Sequence, residues 1–194
     1  MAKIDSVKAT IFKEAAILFS ELGYERTSMR QISERVGVSK PAIYYHFSNK
    51  QALFEELVNR SFEVSKDHIK YVADSKYDPI TKLTVLAKKL FESSKNNPEV
   101  ARFMHDLSAG TIRKNIKLNH HEVFSKQQEW FNQILDSGKK QGIIRTDLDN
   151  YVFTMAYIGT INMFTISYIK CEIDDLSGDR AEQIIDLLLN GIKK

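Results

Sequence analysis

A chain of 194 residues, 43% hydrophobic, with three prolines and eight glycines, can build a sizeable core and leaves room for long helices. One cysteine, Cys171, excludes an internal disulfide and fits a reducing cytoplasm, and the N-terminal MAKIDSVKATIFKEAAILF lacks a secretory apolar run and cleavage site. The formal net charge is +3, and its placement matters: residues 1–50 hold 8 Lys/Arg against 5 Asp/Glu, while the remainder balances at 20 against 20. A basic excess confined to one segment is the asymmetry expected of a nucleic-acid partner.

In chain order, Val7, Ile11, Ala15, Leu18, Phe19 and Leu22 predict an amphipathic helix with Gly23 as its C-cap. Thr27 to Lys50, TSMRQISERVGVSKPAIYYHFSNK, then reads as two short helices and the start of a third. Ser28 can cap the first, and Gln31 can close a capping box. Met29, Ile32 and Val36 share one face, and Gly37 can take the left-handed conformation that ends the helix. Ser39 caps the second, with Pro41 in its first turn, where a missing N–H is harmless. Two helices joined by a short turn containing glycine follow the helix-turn-helix plan.

In the second short helix Ile43 and Phe47 can face inward. Lys40, Tyr44, Tyr45 and His46 are left as an outward face of hydrogen-bonding groups suited to phosphates and base edges. Lys50 falls in the first turn of the next helix, where its charge opposes the helix dipole, so an anionic partner such as phosphate is expected there. A solvated lysine and half-buried tyrosines are the plainer reading of each residue singly; together, at this spacing, they favour a DNA-reading face.

TSMRQISERVGVSKPAIYYHFSNKQALFEEL resembles the N-terminal DNA-binding motif of the tetracycline-repressor (TetR) family of bacterial regulators. The resemblance runs from the first helix through Leu57; beyond it, only length and helical layout are similar. It implies a homodimeric, ligand-released DNA-binding protein. The family's usual DNA-contacting positions fall on Ser28, Lys40, Pro41, Ala42, Tyr44, Tyr45, His46 and Lys50. Many members carry glycine where this chain has Pro41, which removes a backbone donor and adds an apolar ring.

Ser48 with Gln51 predicts another capping box, opening a long helix through Leu53, Leu57, Val58, Phe62, Ile69 and Val72 that leaves the DNA-binding part without a flexible linker. A loop at 75–79 precedes a helix with Leu83, Leu86, Ala87, Leu90 and Phe91; Pro98 starts the next, and a longer one runs from about 115 to 140. Asp147 or Asp149 caps the following helix, and Ser177 to Asp179 precede the last. The uncharged stretch Asn150–Ile169 has the length of a membrane span, but its scattered polar residues favour a buried helix paired with the last one in a dimer-forming four-helix bundle.

The expected fold class is therefore all-α: an N-terminal three-helix helix-turn-helix domain over 1–50 and a larger helical-bundle domain for ligand binding and dimerisation over 51–194. Phe62, Phe91, Phe103, Met104, Phe124, Trp130, Phe131, Tyr157 and Met163 are candidates to line an aromatic cavity, with His105, Thr160, Asn162 or Tyr168 as polar fittings. Ile158, Thr165, Ile184, Ile185 and Leu188 are candidates for the dimer interface. No metal-ligand spacing, catalytic constellation or cofactor motif is evident: adjacent His120 and His121 diverge on a helix, and Cys171 sits among acidic residues. The expected protein is a cytoplasmic homodimeric regulator, not an enzyme. It has no cofactor and no membrane partner, and a small, largely apolar or aromatic ligand releases it from a palindromic operator in double-stranded DNA. The rival readings are an all-α enzyme using the aromatic cavity and a helical protein–protein adaptor.

Overall fold

The computed structural model describes residues 2–112 and 120–191, and the side chains of residues 7–112 and 125–191. The described residues form α1 (Ala2–Arg26), α2 (Met29–Val36), α3 (Lys40–His46), α4 (Lys50–Ala73), α5 (Pro79–Asn96), α6 (Pro98–Ser108), α7 (His120–Lys140), α8 (Asn150–Ile169) and α9 (Gly178–Asn190). None of them is in a strand. They divide into two compact units, Met1–Phe62 with Asn97–Leu118, and Glu63–Asn96 with Asn119–Lys194.

The first unit takes in more chain than residues 1–50. Leu53, Phe54, Leu57 and Val58 of α4 and Phe103 and Leu107 of α6 are buried in one core with Ile11, Phe19, Ile32 and Ile43. The reason is size: α1 to α3 alone are too short to bury their own apolar faces, so α4 and α6 complete the core. Phe54 is the hub, edge-on to Phe19 at 5.1 Å, Tyr24 at 5.1 Å and Phe103 at 5.5 Å between ring centroids. The pairs Lys50 with Tyr24, Phe54 with Phe19 and Arg60 with Phe12 descend along α1 as they ascend α4, so the two helices are antiparallel.

Gly23 interrupts α1 rather than ending it, with φ 79° and ψ 165° before a further turn to Arg26. Thr27, 2% exposed, bridges the break by donating from Oγ1 to the Gly23 carbonyl at 2.9 Å and the Leu18 carbonyl at 3.1 Å. The N-terminus of α4 also differs in detail from the expected Ser48–Gln51 box. Asn49 is the cap, its Oδ1 accepting from Ala52 N at 2.9 Å, because the helix begins one residue later.

In the second unit α5 packs against α7, α8 and α9. The starts of α5, α8 and α9 carry side-chain caps. Asp78 accepts from Ile80 N and Thr81 N, Asp149 from Tyr151 N and Val152 N, and Ser177 from Arg180 N. Ile69 and Val72 of α4 join Leu83, Leu86, Phe91, Phe131, Tyr157, Ile184 and Ile185 in the core. Tyr157 is fully buried and donates its hydroxyl to the Leu83 carbonyl at 2.8 Å, which satisfies the phenol, and burial raises its pKa.

The α8 helix is not buried all round. Phe153, Tyr157 and Ile161 face the unit's core, while Tyr151, Val152, Met155 and Met163 are 55%, 62%, 43% and 64% exposed. Its length and apolar composition would suffice for a membrane span, yet its inner face is committed to the core. An uncharged helix cannot show by periodicity which of its sides meets the core.

Candidate nucleic-acid interface

The interface is assembled by local signals. Ser28 accepts from Gln31 N at 3.2 Å while the Gln31 side chain accepts from Ser28 N at 2.8 Å, so the capping box forms as expected. Ser28 also donates its hydroxyl to Gln31 Oε1 at 2.8 Å, which leaves only acceptor capacity for another partner. Gly37 ends α2 at φ 76° and ψ 28°, and Val38 N donates to the Ser33 carbonyl at 3.0 Å. Ser39 caps α3 by accepting from Ala42 N at 3.3 Å, and Pro41 sits in the first turn.

Ile43, fully buried, and Phe47, 2% exposed, anchor α3 to the core. Lys40, Pro41, Tyr44 and Tyr45 project from the opposite side, and the two tyrosines are 50% and 80% exposed. The positions 40 and 44, and 41 and 45, form two adjacent rows at helical spacing. Ala42 and His46 flank that face half-buried, with the His46 ring edge-on to Tyr45 at 5.3 Å.

Charge is distributed to match. Lys8 pairs with Glu56, Lys13 with Glu99 at 3.5 Å, Arg30 with Glu34 at 2.7 Å, and Arg35 with Glu14 at 2.7 Å and Glu21 at 3.2 Å. Arg26 donates to the Leu22 carbonyl at 2.9 Å. Lys40 has no ion pair among the described residues, so its cation stands uncompensated on the outer face of α3. An exposed cation beside two exposed phenols and an apolar ring can serve phosphate, base edges and thymine methyls.

Lys50 is placed differently. It is half-buried, and its ammonium donates to the Tyr24 carbonyl at 2.7 Å and the Glu25 carbonyl at 3.2 Å, over the Tyr24 ring at 4.3 Å from its centroid. Burial, followed by the nearby carboxylates of Glu25 and Glu55, raises the Tyr24 phenol above its ordinary pKa. Tyr24 carries no local signal of this role, because its partner lies 26 residues away.

The candidate cavity residues are divided between the cores of the two units. Phe62, Phe103 and Met104 pack in the first unit, where His105 also lies against Asp106 at 3.3 Å. Phe91, Trp130, Phe131 and Tyr157 pack in the second unit, Met163 and Asn162 are on the surface, and the Phe124 side chain falls outside the described residues, as do those of His120 and His121. A cleft of about 240 Å³ in the second unit is lined by Tyr77, Lys82, Gln133, Gln141 and neighbours, none of them among the candidates. No cluster of metal-ligating side chains occurs among the described residues. Of the dimer candidates, Ile184 and Ile185 are 4% and 2% exposed within their own core, and Ile158 and Leu188 pack against it. Thr165 is half-buried.

A capped helix, a left-handed glycine turn and a second helix with a cationic, phenolic outer face, all on one compact core, define a helix-turn-helix DNA-binding regulator. Residues 11–57 match the family model described as bacterial regulatory proteins, tetR family. That match gives the N-terminal segment the DNA-binding domain of tetR-type transcriptional regulators. The chain is 25% identical over 149 residues to the HTH-type transcriptional repressor KstR2 of Mycobacterium tuberculosis, covering 76% of this chain and 74% of that one. It is 28% identical over 115 residues to the icaADBC negative regulator IcaR of Staphylococcus epidermidis, covering 59% of this chain and 60% of that one. Its fold is similar to the regulator FadR from Bacillus subtilis, solved in complex with stearoyl-CoA. There the TM-score is 0.75 at 20% identity, over 95% of this chain and 99% of that one.

Proposed function

We propose that the chain is a homodimeric repressor that binds a two-fold operator and is released by a small, largely apolar or aromatic ligand. The observation that carries the DNA reading is the outer face of α3. Lys40, Tyr44 and Tyr45 stand exposed while Ile43 and Phe47 hold the helix to its core. Pro41, Ala42 and His46 lie around that face and, with Ser28 at the start of α2, complete the proposed contact set; Pro41 contributes its ring, having no backbone N–H to offer. One such helix reads only a few base pairs, so a genomic site calls for two heads acting together.

The homodimer is supported by the outer stripe of α8. Val152, Met155 and Met163 expose their side chains around Gly159, where a Cβ would meet nothing within 4 Å, and Leu187 of α9 is 52% exposed. These residues, rather than Ile184 and Ile185, are the proposed contacts, since the isoleucines are already used inside the protomer. Covering such a stripe with its own copy buries apolar surface that a soluble protein rarely leaves open. A DNA-binding regulator of bacterial genes works in the cytoplasm, where a lone cysteine such as Cys171 stays reduced.

The ligand reading rests on the apolar load of the second unit, with Phe91, Phe131 and Tyr157 in its core and Trp130 packed against it. The FadR neighbour was solved with stearoyl-CoA, which makes a long-chain acyl-CoA the first probe to offer. The repressor reading draws on KstR2 and IcaR, whose names are those of negative regulators. The deciding experiment enriches duplexes from random DNA on the protein and sediments the complex. A two-fold sequence bound by a dimer is expected; enrichment of nothing, with a dimer still present, would favour a helical adaptor.

A further inference from the structure

Lys50 occupies a place where its charge is unfavourable for its own helix, yet it is held there by three contacts. It stands in the first turn of α4, at the positive end of that helix's dipole. The compensation comes from α1. After the break at Gly23, the carbonyls of Tyr24 and Glu25 lie in the last turn of α1, where carbonyls lack intrahelical partners and carry partial negative charge. The ammonium donates to both, at 2.7 and 3.2 Å, with the Tyr24 ring beneath it. No anion is needed to explain the position.

We infer that Lys50 is a positioning residue for operator recognition: it ties the end of α1 to the start of α4 and so fixes the angle at which α3 is presented. The connection from α3 to α4 is only Phe47 to Asn49, and Phe47 is itself buried with its N–H on the Ile43 carbonyl at 3.0 Å. With so little slack, any slip of the α4 N-terminus moves α3. The same turn of α1 is hooked a second time, by Tyr24 N donating to the Ile112 carbonyl at 3.2 Å. The strut therefore binds a segment that is anchored elsewhere, and its force is delivered to the helix that reads DNA.

This inference rests on the DNA-binding reading, and the experiment separates the two. The probes are a duplex enriched from random DNA by the wild-type protein and a scrambled duplex of the same length, each titrated across a salt series. Lys50→Met should lose about tenfold in affinity for the enriched duplex, the equivalent of one charge-assisted hydrogen bond. Its affinity for the scrambled duplex and its salt slope should not change, because no phosphate contact is removed. Lys50→Arg should restore most of the loss, since a guanidinium can still donate to the two carbonyls. Tyr24→Leu should lower the ratio of specific to scrambled binding on its own, and add nothing in a Lys50→Met background. Equal losses on both duplexes with a salt slope reduced by about one would make Lys50 a phosphate ligand and overturn the strut. Should Lys50→Met not fold, Tyr24→Leu decides: an unchanged ratio sinks the proposal. If wild type enriches no duplex, the DNA reading falls and the strut falls with it.

Discussion

Tyr45 has four-fifths of its surface open, with the His46 ring edge-on to it, so the fold gains little from it. Tyr45→Ala should leave the melting temperature unchanged and cost about 1–3 kcal/mol in operator binding, with relaxed sequence preference at the position it reads. Lys40→Ala should instead weaken every duplex alike and reduce the salt slope by about one, read by fluorescence anisotropy of labelled DNA across a salt series. A changed preference without a changed slope would exchange the two roles. His68 on α4 makes a different kind of prediction. Its Nδ1 is buried without a hydrogen-bond partner, and burial lowers its pKa, aided by Lys89 and opposed by Asp67 and Glu92. The unfolded chain therefore takes up the proton first, and stability should fall as pH drops below about 6.5. Thermal melts at several pH values should show that acid slope flattened in His68→Gln; a slope identical to wild type would remove His68 from the account.

At the scale of elements, what could be read from the sequence was what is encoded locally. Ser28 with Gln31, Gly37 and Ser39 each act within four residues, and α2 begins and ends, and α3 begins, where those residues indicate. The joining of α6 to the first unit was not legible, because contacts such as Tyr24 with Ile112 span most of the intervening chain. The outward stripe of α8 was hidden for another reason: an uncharged helix has no polar side to mark its exposure. Phe62 illustrates the same limit, since its packing against the core of the first unit depends on where along α4 that unit ends. The division between units falls inside α4, at Phe62 and Glu63, with no break in the helix. Replacing the exposed Glu63 and Val64 together by glycine should cost about 1 kcal/mol per site in helix stability. Operator binding should survive, while its release by ligand weakens. Undiminished release in the double variant would show that α4 does not carry the signal.

For the whole molecule, the dimer reading separates two substitutions that the sequence could not tell apart. Ile185→Glu places a charge in a closed core and should unfold the protomer. Met163→Glu places it on the open stripe and should yield a folded monomer, losing operator affinity by roughly 100-fold or more as the second head is lost. Sedimentation of a Met163→Glu dimer would move the interface elsewhere. If ligand and operator are coupled, each must weaken the other by the same factor, and a tenfold effect requires about 1.4 kcal/mol. Calorimetry of stearoyl-CoA with and without operator tests that equality.

The chain holds one tryptophan, and it packs against the core of the second unit alone. Emission excited at the red edge of the indole band is consequently a private signal from that unit, silent about the tyrosine and phenylalanine cluster around Phe54. Backbone circular dichroism sums both. A denaturation followed by the two probes together becomes a measurement of independence: coincident curves mean the units melt as one, and a dichroism change that precedes the shift in Trp130 emission gives the stability of the DNA-reading unit by itself.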